Sequence, residues 1–278
     1  MEKKFYGMSN DYMFKAVMQE CEDVLRNLVG ALLNLHEADI LECEVTNPIV
    51  LGETISDKDC VLDIKLVLNG NKNINIELQI RKEEYWPERS LLYWARTYDD
   101  IKAGEDYDLL KKTYHIGIID FPLYDGDREF FSEYRIMNIT NHRVYTDKFV
   151  MKVLNLRNVD NAGDTDERVI HWARIFKAKT LNELEELAGE QEDFKKMVFE
   201  LKKLTEDEKI KQQMEARADY ESRIATARGA GRREGLEQGR LIEIISFVKD
   251  GICTVEVGAN RAGMTVAEFE KAMASNKQ

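Results

Sequence analysis

The sequence lacks several features that would assign it to a common class of protein. Its four cysteines are scattered and form neither a CxxC pair nor a zinc-type spacing, so we expect free thiols in a reducing compartment. No stretch approaches the roughly 18 apolar residues of a membrane span, and the N-terminus has no apolar signal core. These absences predict a cytosolic protein without a membrane segment. Acidic residues also outnumber basic residues, which gives a net charge of -12. A generally basic surface that coats nucleic acid is therefore not expected.

The residues that are present predict an α/β protein. The chain of 278 residues is 44% hydrophobic and 33% charged and has only three prolines, which is typical of a helix-rich protein with a sizeable core. Periodicity predicts helices over 10–35 and 87–101, and strands over 45–53, 61–68, 74–80, 113–121, 130–139 and 149–156. After about residue 165 the pattern becomes amphipathic and helical. We expect a domain over 1–165 and a helical C-terminal region over 166–278.

The stretch VLDIKLVLNGNKNINIELQI, residues 61–80, predicts a hairpin with an unusual polar face. Ile64, Leu66 and Leu68 alternate with Asp63 and Lys65, and the second strand alternates in the same way through Glu77 and Gln79. A register that joins the two apolar faces puts Asp63 opposite Glu77 if the loop has three residues, and opposite Gln79 if it has five. Either register gathers the polar side chains on one face.

Two nearby carboxylates repel, and burying either one costs several kcal/mol unless a partner offsets it. Lys65 can neutralise one of the charges. A hard divalent cation can bridge both, because carboxylate oxygens are its preferred ligands. The remaining alternative is a solvated ion pair between Lys65 and Glu77 on an exposed sheet face. Geometry alone leaves these possibilities open.

An ordered set of motifs resembles a known family. It consists of ND-x-x-FK at Asn10 to Lys15, K-D-x-x-L-D-I-K at Lys58 to Lys65, N-I-E-L-Q at Asn75 to Gln79, ERSLLYWARTYDD at Glu88 to Asp100, and a Gly-rich tail. Together these motifs resemble the PD-(D/E)XK nuclease family transposases, which are related to the recombination-promoting nucleases of bacteria. The resemblance spans roughly residues 7–121 plus the tail.

The resemblance implies a restriction-endonuclease-like α-β-β-β-α-β core with a central mixed sheet. It also implies a metal site for Mg²⁺ or Mn²⁺. In this site Asp63 and Glu77 supply carboxylates, Leu78 adds its main-chain carbonyl, and Asp11 on the first helix contacts the metal directly or through water. A plain helix-start role for Asp11 is the alternative.

Gln79 stands where the superfamily usually has a lysine. A lysine there would hold the attacking water and offset the charge that develops on phosphorus, whereas glutamine only donates and accepts hydrogen bonds. Lys65, on the same strand face as Asp63, is a candidate for the missing charge. A structural partnership between Lys65 and Glu77 is the competing interpretation.

The implied activity is metal-dependent hydrolysis of DNA phosphodiester bonds in mobile-element or phage-defence biology. Candidate DNA contacts are Arg81, Lys82, Arg89 and Arg96. The alternative is a catalytically weak or inactive nuclease fold that acts as a protein-interaction module, which the acidic charge favours. Gly231, Gly235 and Gly239 recur every four residues in a charged helical stretch. That stripe predicts a close helix contact in a homodimer, although a frayed segment is an equal alternative.

Overall fold

The computed structural model describes residues 5–49 and 63–275 of the chain. The helices are α1 Asp11–Glu20, α2 Glu22–Leu33, α3 Trp86–Tyr98, α4 Glu167–Lys177, α5 Leu181–Ala188, α6 Glu192–Glu206, α7 Glu208–Lys249, α8 Val255–Ala262 and α9 Val266–Ser275. The strands are β1 Cys43–Val45, β2 Ile64–Leu68, β3 Lys72–Gln79, β4 Lys112–Ile119, β5 Phe131–Tyr134 and β6 Phe149–Asn155. This order confirms the predicted α/β core followed by helices.

Within the described residues the strands form one mixed sheet of six, in the order β1-β2-β3-β4-β6-β5. The first three strands are antiparallel neighbours, whereas β4 runs parallel to both β3 and β6. A parallel neighbour requires a crossover connection, and α3 supplies it between β3 and β4. The predicted α-β-β-β-α-β core with a central mixed sheet is therefore confirmed.

The hairpin of β2 and β3 takes the shorter of the two predicted loops. Leu68 pairs with Lys72 and Ile64 pairs with Ile76, so the loop has three residues and the same register places Asp63 opposite Glu77. Asn69 and Gly70 both have positive φ, 49° and 67°, which an Asn-Gly pair adopts readily at a tight turn. The turn thus selects one of the two registers that the strand alternation allows.

The polar face of β3 is covered by α3. At one end of the helix Trp86 packs over Gly117 of β4, where an added Cβ would lie 2.2 Å from Trp86 Cζ2. At the other end Asn73 Nδ2 donates to Thr97 O at 3.2 Å and to Asp100 Oδ2 at 2.7 Å. The opposite face of the hairpin carries buried isoleucines and leucines. The sheet is consequently buried on both faces at β3 and β4.

Three predicted elements differ from the structure in extent, and the first is the strand predicted over 130–139, which spans only Phe131–Tyr134 as β5. The helix predicted over 10–35 is divided at Cys21, whose φ of -120° and ψ of 80° are not helical, so α1 ends before it and α2 begins after it. The strand predicted over 45–53 is wrong in position, because β1 spans Cys43–Val45 and residues 46–49 are not strand. Asn47 and Pro48 follow; Pro48 has no N–H to donate, and the Asn47 side chain takes over the hydrogen bonding to the neighbouring segment. The rest of that prediction, with residues 50–62, lies outside the described residues.

The chain separates into two compact units, Met1–Gln213 and Met214–Gln278. The first unit holds the sheet and α1 to α6. The second has its own apolar cluster of Ile244, Ile245, Ala259 and Phe269. The predicted functional boundary near residue 165 stays a prediction. In the part of the chain that the structure describes, no helix has the length and apolar content to cross a membrane.

The close approach of Trp86 to Gly117 can be tested by filling the space. Gly117→Ala is expected to lower the free energy of unfolding by about 1–3 kcal/mol, because the new methyl group overlaps the indole ring. In a Trp86→Phe background the loss should be smaller, since the overlapping ring atoms are gone. Denaturant unfolding of the four proteins in this double-mutant cycle measures the coupling. Gly229→Ala is the control, because open space surrounds Gly229; equal losses for both alanines would contradict the packing argument.

Candidate active site

The two carboxylates of the hairpin are buried together at one end of the polar strand face. Asp63 is 6% exposed and Glu77 is 1% exposed. Asp63 Oδ2, Glu77 Oε1 and Glu77 Oε2 are buried oxygens with no hydrogen-bond partner. Native proteins seldom leave buried polar atoms without partners unless those atoms have a function or bind a ligand. The pair is therefore the strongest candidate for a binding or catalytic site.

The backbone of Asp63 is fixed by side chains from two other segments. Its carbonyl oxygen accepts hydrogen bonds from Lys15 Nζ at 3.0 Å and from Asn47 Nδ2 at 2.9 Å. Asn47 Oδ1 in turn accepts from the Lys65 amide at 2.8 Å. These bonds hold Asp63 in place just before β2 begins. Buried Lys15 connects α1 to the site, a link that the sequence alone did not indicate.

Asp11 lies one helical turn before Lys15, so both side chains project from the same side of α1. Helix capping falls to Asn10, whose side chain accepts a hydrogen bond from the Met13 amide at 3.0 Å. Asp11 Oδ1 accepts from the Tyr12 amide at 2.8 Å. The metal-binding role of Asp11 stays a prediction.

The cation nearest Glu77 is Arg89 of α3. Arg89 Nη2 lies 2.9 Å from Glu77 Oε1, and Nη1 lies 3.9 Å from Glu83 Oε2. The contact with Glu77 is ionic, because Oε1 has no hydrogen bond of acceptable geometry. The guanidinium also lies 5.1 Å from the ring centre of Tyr93. Since Glu77 is buried and paired with Arg89, the solvated ion pair between Lys65 and Glu77 does not form.

His115 on β4 is a site residue that the sequence analysis missed. It is fully buried, stands beside Asn75 in the parallel register, and accepts a hydrogen bond at Nδ1 from Asn75 Nδ2 at 3.1 Å. With Nδ1 accepting, the ring proton is on Nε2, which lies 3.5 Å from Glu77 Oε2. The signal was present, because a histidine interrupts the otherwise apolar run TYHIGIIDF. Its position beside Glu77 depends on the register between β3 and β4.

The surroundings of the two carboxylates favour their protonated forms. Burial and, next, the charge of Asp63 raise the pKa of Glu77 to about 7, against the opposing effect of Arg89. Burial also raises the pKa of Asp63, against the attraction of Arg89 and a hydrogen bond with Asn75. The pKa of His115 is lowered to about 3 by burial and by Arg89, so the imidazole is neutral at working pH. Without a bound cation, the site lowers its charge by retaining protons.

The other predicted site residues lie around this pair. Lys65 stands opposite Asn75 in the β2–β3 register, and its charge stabilises ionised Asp63. Gln79 ends β3, and its Nε2 donates to the Arg81 carbonyl at 2.9 Å. Arg81, Lys82 and Arg96 are exposed. Of the four predicted DNA contacts, only Arg89 is brought to the carboxylates.

The carboxylate pair suits a hard divalent cation. Three buried oxygens without hydrogen-bond partners belong to two carboxylates that act on each other electrostatically, and oxygen is the preferred donor of such a cation. Over residues 5–49 and 63–275 no group of three or more His, Cys, Asp or Glu side chains is arranged to hold a metal. Two carboxylates would therefore need main-chain carbonyls and water to complete the coordination. The predicted Leu78 carbonyl is one candidate for that addition.

The opposite pKa shifts of Glu77 and His115 predict a specific pH dependence of stability. Folding raises the pKa of Glu77 from 4.5 to about 7, which favours the folded state as pH falls. Folding lowers the pKa of His115 from 6.5 to about 3, which disfavours it as pH falls. Between pH 4.5 and 6.5 the two effects oppose each other in the wild type.

Glu77→Gln leaves the His115 effect unopposed. As pH falls from 6.5 towards 3, its free energy of unfolding should drop by about 1.4 kcal/mol per pH unit relative to Glu77→Gln/His115→Gln. Urea titrations of both variants across this range measure the difference. Parallel stability curves would show that His115 does not have the lowered pKa.

Comparison with known proteins agrees with the fold. Searches of the curated proteins and of the solved structures found no significant match. A scan against protein-family models found a match over residues 8–227, a range that contains the sheet, both carboxylates, Arg89 and the first part of α7. On this match, and with the α/β core described above, the chain belongs to the PD-(D/E)XK nuclease family transposases.

Proposed function

We propose that the protein is a metal-dependent endonuclease that hydrolyses phosphodiester bonds of DNA, in mobile-element or phage-defence biology. The family supports a nuclease- or transposase-related role. The observation that carries the finer proposal is the buried pair of Asp63 and Glu77, with three oxygens that have no hydrogen-bond partner. A protein that used this fold only for interaction would gain nothing from such a pair, because the pair lowers stability.

Each site residue has a separate role in the proposed hydrolysis. Held by Asp63 and Glu77, with the Leu78 carbonyl and Asp11 as further donors, Mg²⁺ or Mn²⁺ would lower the pKa of a bound water and stabilise charge on the phosphate. Gln79 orients the attacking water through its side-chain oxygen, which can accept a hydrogen bond. Its Nε2 already donates to the Arg81 carbonyl. Lys65 contributes positive charge beside Asp63.

The DNA backbone is bound by a local basic surface rather than by the whole protein. Arg81 and Lys82 follow β3 directly, and Arg96 projects from α3, so exposed cations lie on the segments next to the carboxylates. A net charge of -12 repels DNA elsewhere. Binding should therefore be weak and strongly dependent on salt.

Cleavage of supercoiled plasmid tests the proposal. Wild-type protein is expected to nick the plasmid with Mg²⁺ or Mn²⁺ and to be inactive in EDTA. Asp63→Asn should lower the cleavage rate by at least about 10²-fold, because a carboxylate that would bind the metal ion is lost. Asp125→Asn, an exposed loop substitution, is the matched control and should cleave at the wild-type rate.

Thermal unfolding in the same buffers gives a second measurement. Mg²⁺ should raise the melting temperature of the wild type but not that of Asp63→Asn. In EDTA the Asp63→Asn protein should be the more stable of the two, because repulsion with Glu77 is relieved. An active wild type in EDTA would refute metal dependence, and the absence of both cleavage and metal stabilisation would favour the interaction module.

We also propose that the second unit forms a homodimer through α7. Gly231, Gly235 and Gly239 lie in this helix with open space around each, so a partner helix can approach closely. Leu236 and Ile242 on the same stretch are 65% and 54% exposed, which leaves apolar surface for such a contact. Cutting both strands of DNA would benefit from two sites held in a symmetric pair.

Bulky substitutions on the glycine stripe test this dimer. Gly235→Leu/Gly239→Leu fits within the protomer, since nothing lies near either position, but should block close approach of a second helix. Light scattering at micromolar concentration is expected to show a dimer for the wild type and a monomer for this variant. Glu237→Leu, on the opposite side of the helix, is the control. A monomeric wild type, or a dimer for every variant, would contradict the proposal.

A further inference from the structure

Arg89 contacts one of the carboxylate oxygens that a metal ion would use. Its Nη2 lies 2.9 Å from Glu77 Oε1, one of the buried oxygens without a hydrogen-bond partner. The charge of Arg89 also acts on Asp63, where it is the strongest attraction on the ionised carboxylate. One guanidinium thus offsets both acidic side chains in the structure described here.

A divalent cation and this arginine compete for the same oxygens. Mg²⁺ binds carboxylate oxygens at about 2.1 Å and tolerates little distortion of its octahedral shell. A guanidinium that remained in contact with Glu77 Oε1 would repel the ion and obstruct its waters. The ion pair between Arg89 and Glu77 must therefore open when metal binds.

Arg89 can move without disturbing the core. Its side chain is 35% exposed, so it reaches solvent at the edge of α3. Nη1 already lies 3.9 Å from Glu83 Oε2, and the guanidinium lies against the Tyr93 ring. These two contacts would remain available to Arg89 if it left Glu77. The planar fork of arginine also suits a phosphate group, to which it donates two parallel hydrogen bonds.

We propose that Arg89 is an exchangeable counter-ion, which pairs with Glu77 in the metal-free protein and passes to a substrate phosphate when a divalent cation takes the carboxylates. This inference rests on the proposed nuclease function. It gives the site the cation that Gln79 does not provide. It also explains why a residue expected to bind DNA is found against a buried carboxylate.

Calorimetric titration with Mn²⁺, in the absence of DNA, tests the first half of the exchange. Arg89→Met keeps the aliphatic stem and removes the competing charge, so it should bind Mn²⁺ about tenfold more tightly than the wild type. Arg96→Met, seven residues along the same helix, removes an equal charge from an exposed position. It should leave Mn²⁺ affinity within about twofold of the wild type.

Binding of a DNA duplex, measured with Ca²⁺ or with EDTA, tests the second half. Ca²⁺ should tighten DNA binding by the wild type and, by the same factor, the weaker overall DNA binding of Arg96→Met, because the cation frees Arg89 for the backbone. Arg89→Met should lose most of this calcium effect. Arg89→Lys keeps the charge but not the fork, so it should bind Mn²⁺ like the wild type and recover only part of the calcium effect. It serves as the second variant if Arg89→Met does not fold.

The outcomes separate this inference from the function on which it rests. A wild type that binds no Mn²⁺ overturns the proposed function and the exchange together. If the wild type binds Mn²⁺ and Arg89→Met binds it no more tightly than Arg96→Met does, the exchange is wrong and the nuclease proposal stands. Tighter Mn²⁺ binding with an unchanged calcium effect would overturn the transfer of Arg89 to phosphate.

Discussion

The burial of two carboxylates under α3 is the constraint on which the rest of the site depends. Asp63 and Glu77 are almost inaccessible, and their mutual repulsion adds to the cost of removing each from water. Arg89, Asn75 and His115 lie around them because an acidic pair in this position requires cations and hydrogen-bond donors. The charge balance of the site is incomplete without protons or a bound cation, and that incompleteness is the basis for assigning it a ligand.

The position of Arg89, whose charge offsets the two carboxylates, is determined by the packing of α3 on the sheet. Trp86 fits over Gly117 only because β4 has no side chain there, which brings the first turn of α3 down onto the strands. Arg89 comes one turn later and so faces Glu77. At the far end, Asn73 ties β3 to the last turn of the helix and to Asp100. A helix held at both ends keeps the guanidinium within reach of the carboxylate.

Sequence patterns predicted the features that neighbouring residues determine better than the features that depend on packing between distant segments. The alternation of Ile64, Leu66 and Leu68 with polar residues was enough to put Asp63 on one face with Glu77 and Gln79, because this signal acts within twenty residues. It left two registers open, and the three-residue loop of the structure selects the one that places Asp63 opposite Glu77. The partnership of Arg89 with Glu77, and the place of His115, depend on the parallel register of β4 and on the depth of α3. Those features arise from packing between segments distant in sequence, so periodicity indicated a buried strand but not which of its side chains meets Glu77. The break at Cys21 was missed for a related reason, since apolar spacing persists across it.

Two buried polar residues of β3 differ in how well their polar atoms are hydrogen-bonded, and the difference bears on which of them serves a binding site. Asn73 and Glu77 are both buried and lie on the same face, four residues apart. The Asn73 amide donates to two acceptors on and just after α3, so its burial costs little and joins the helix to the sheet. Glu77 has an ionic contact but no hydrogen bond to either oxygen, and its pKa is raised. If stability alone governed this face, an asparagine or an apolar residue would serve better at position 77. A bound cation would offset the cost of this charge, and the proposed metal site thereby accounts for a carboxylate at this position.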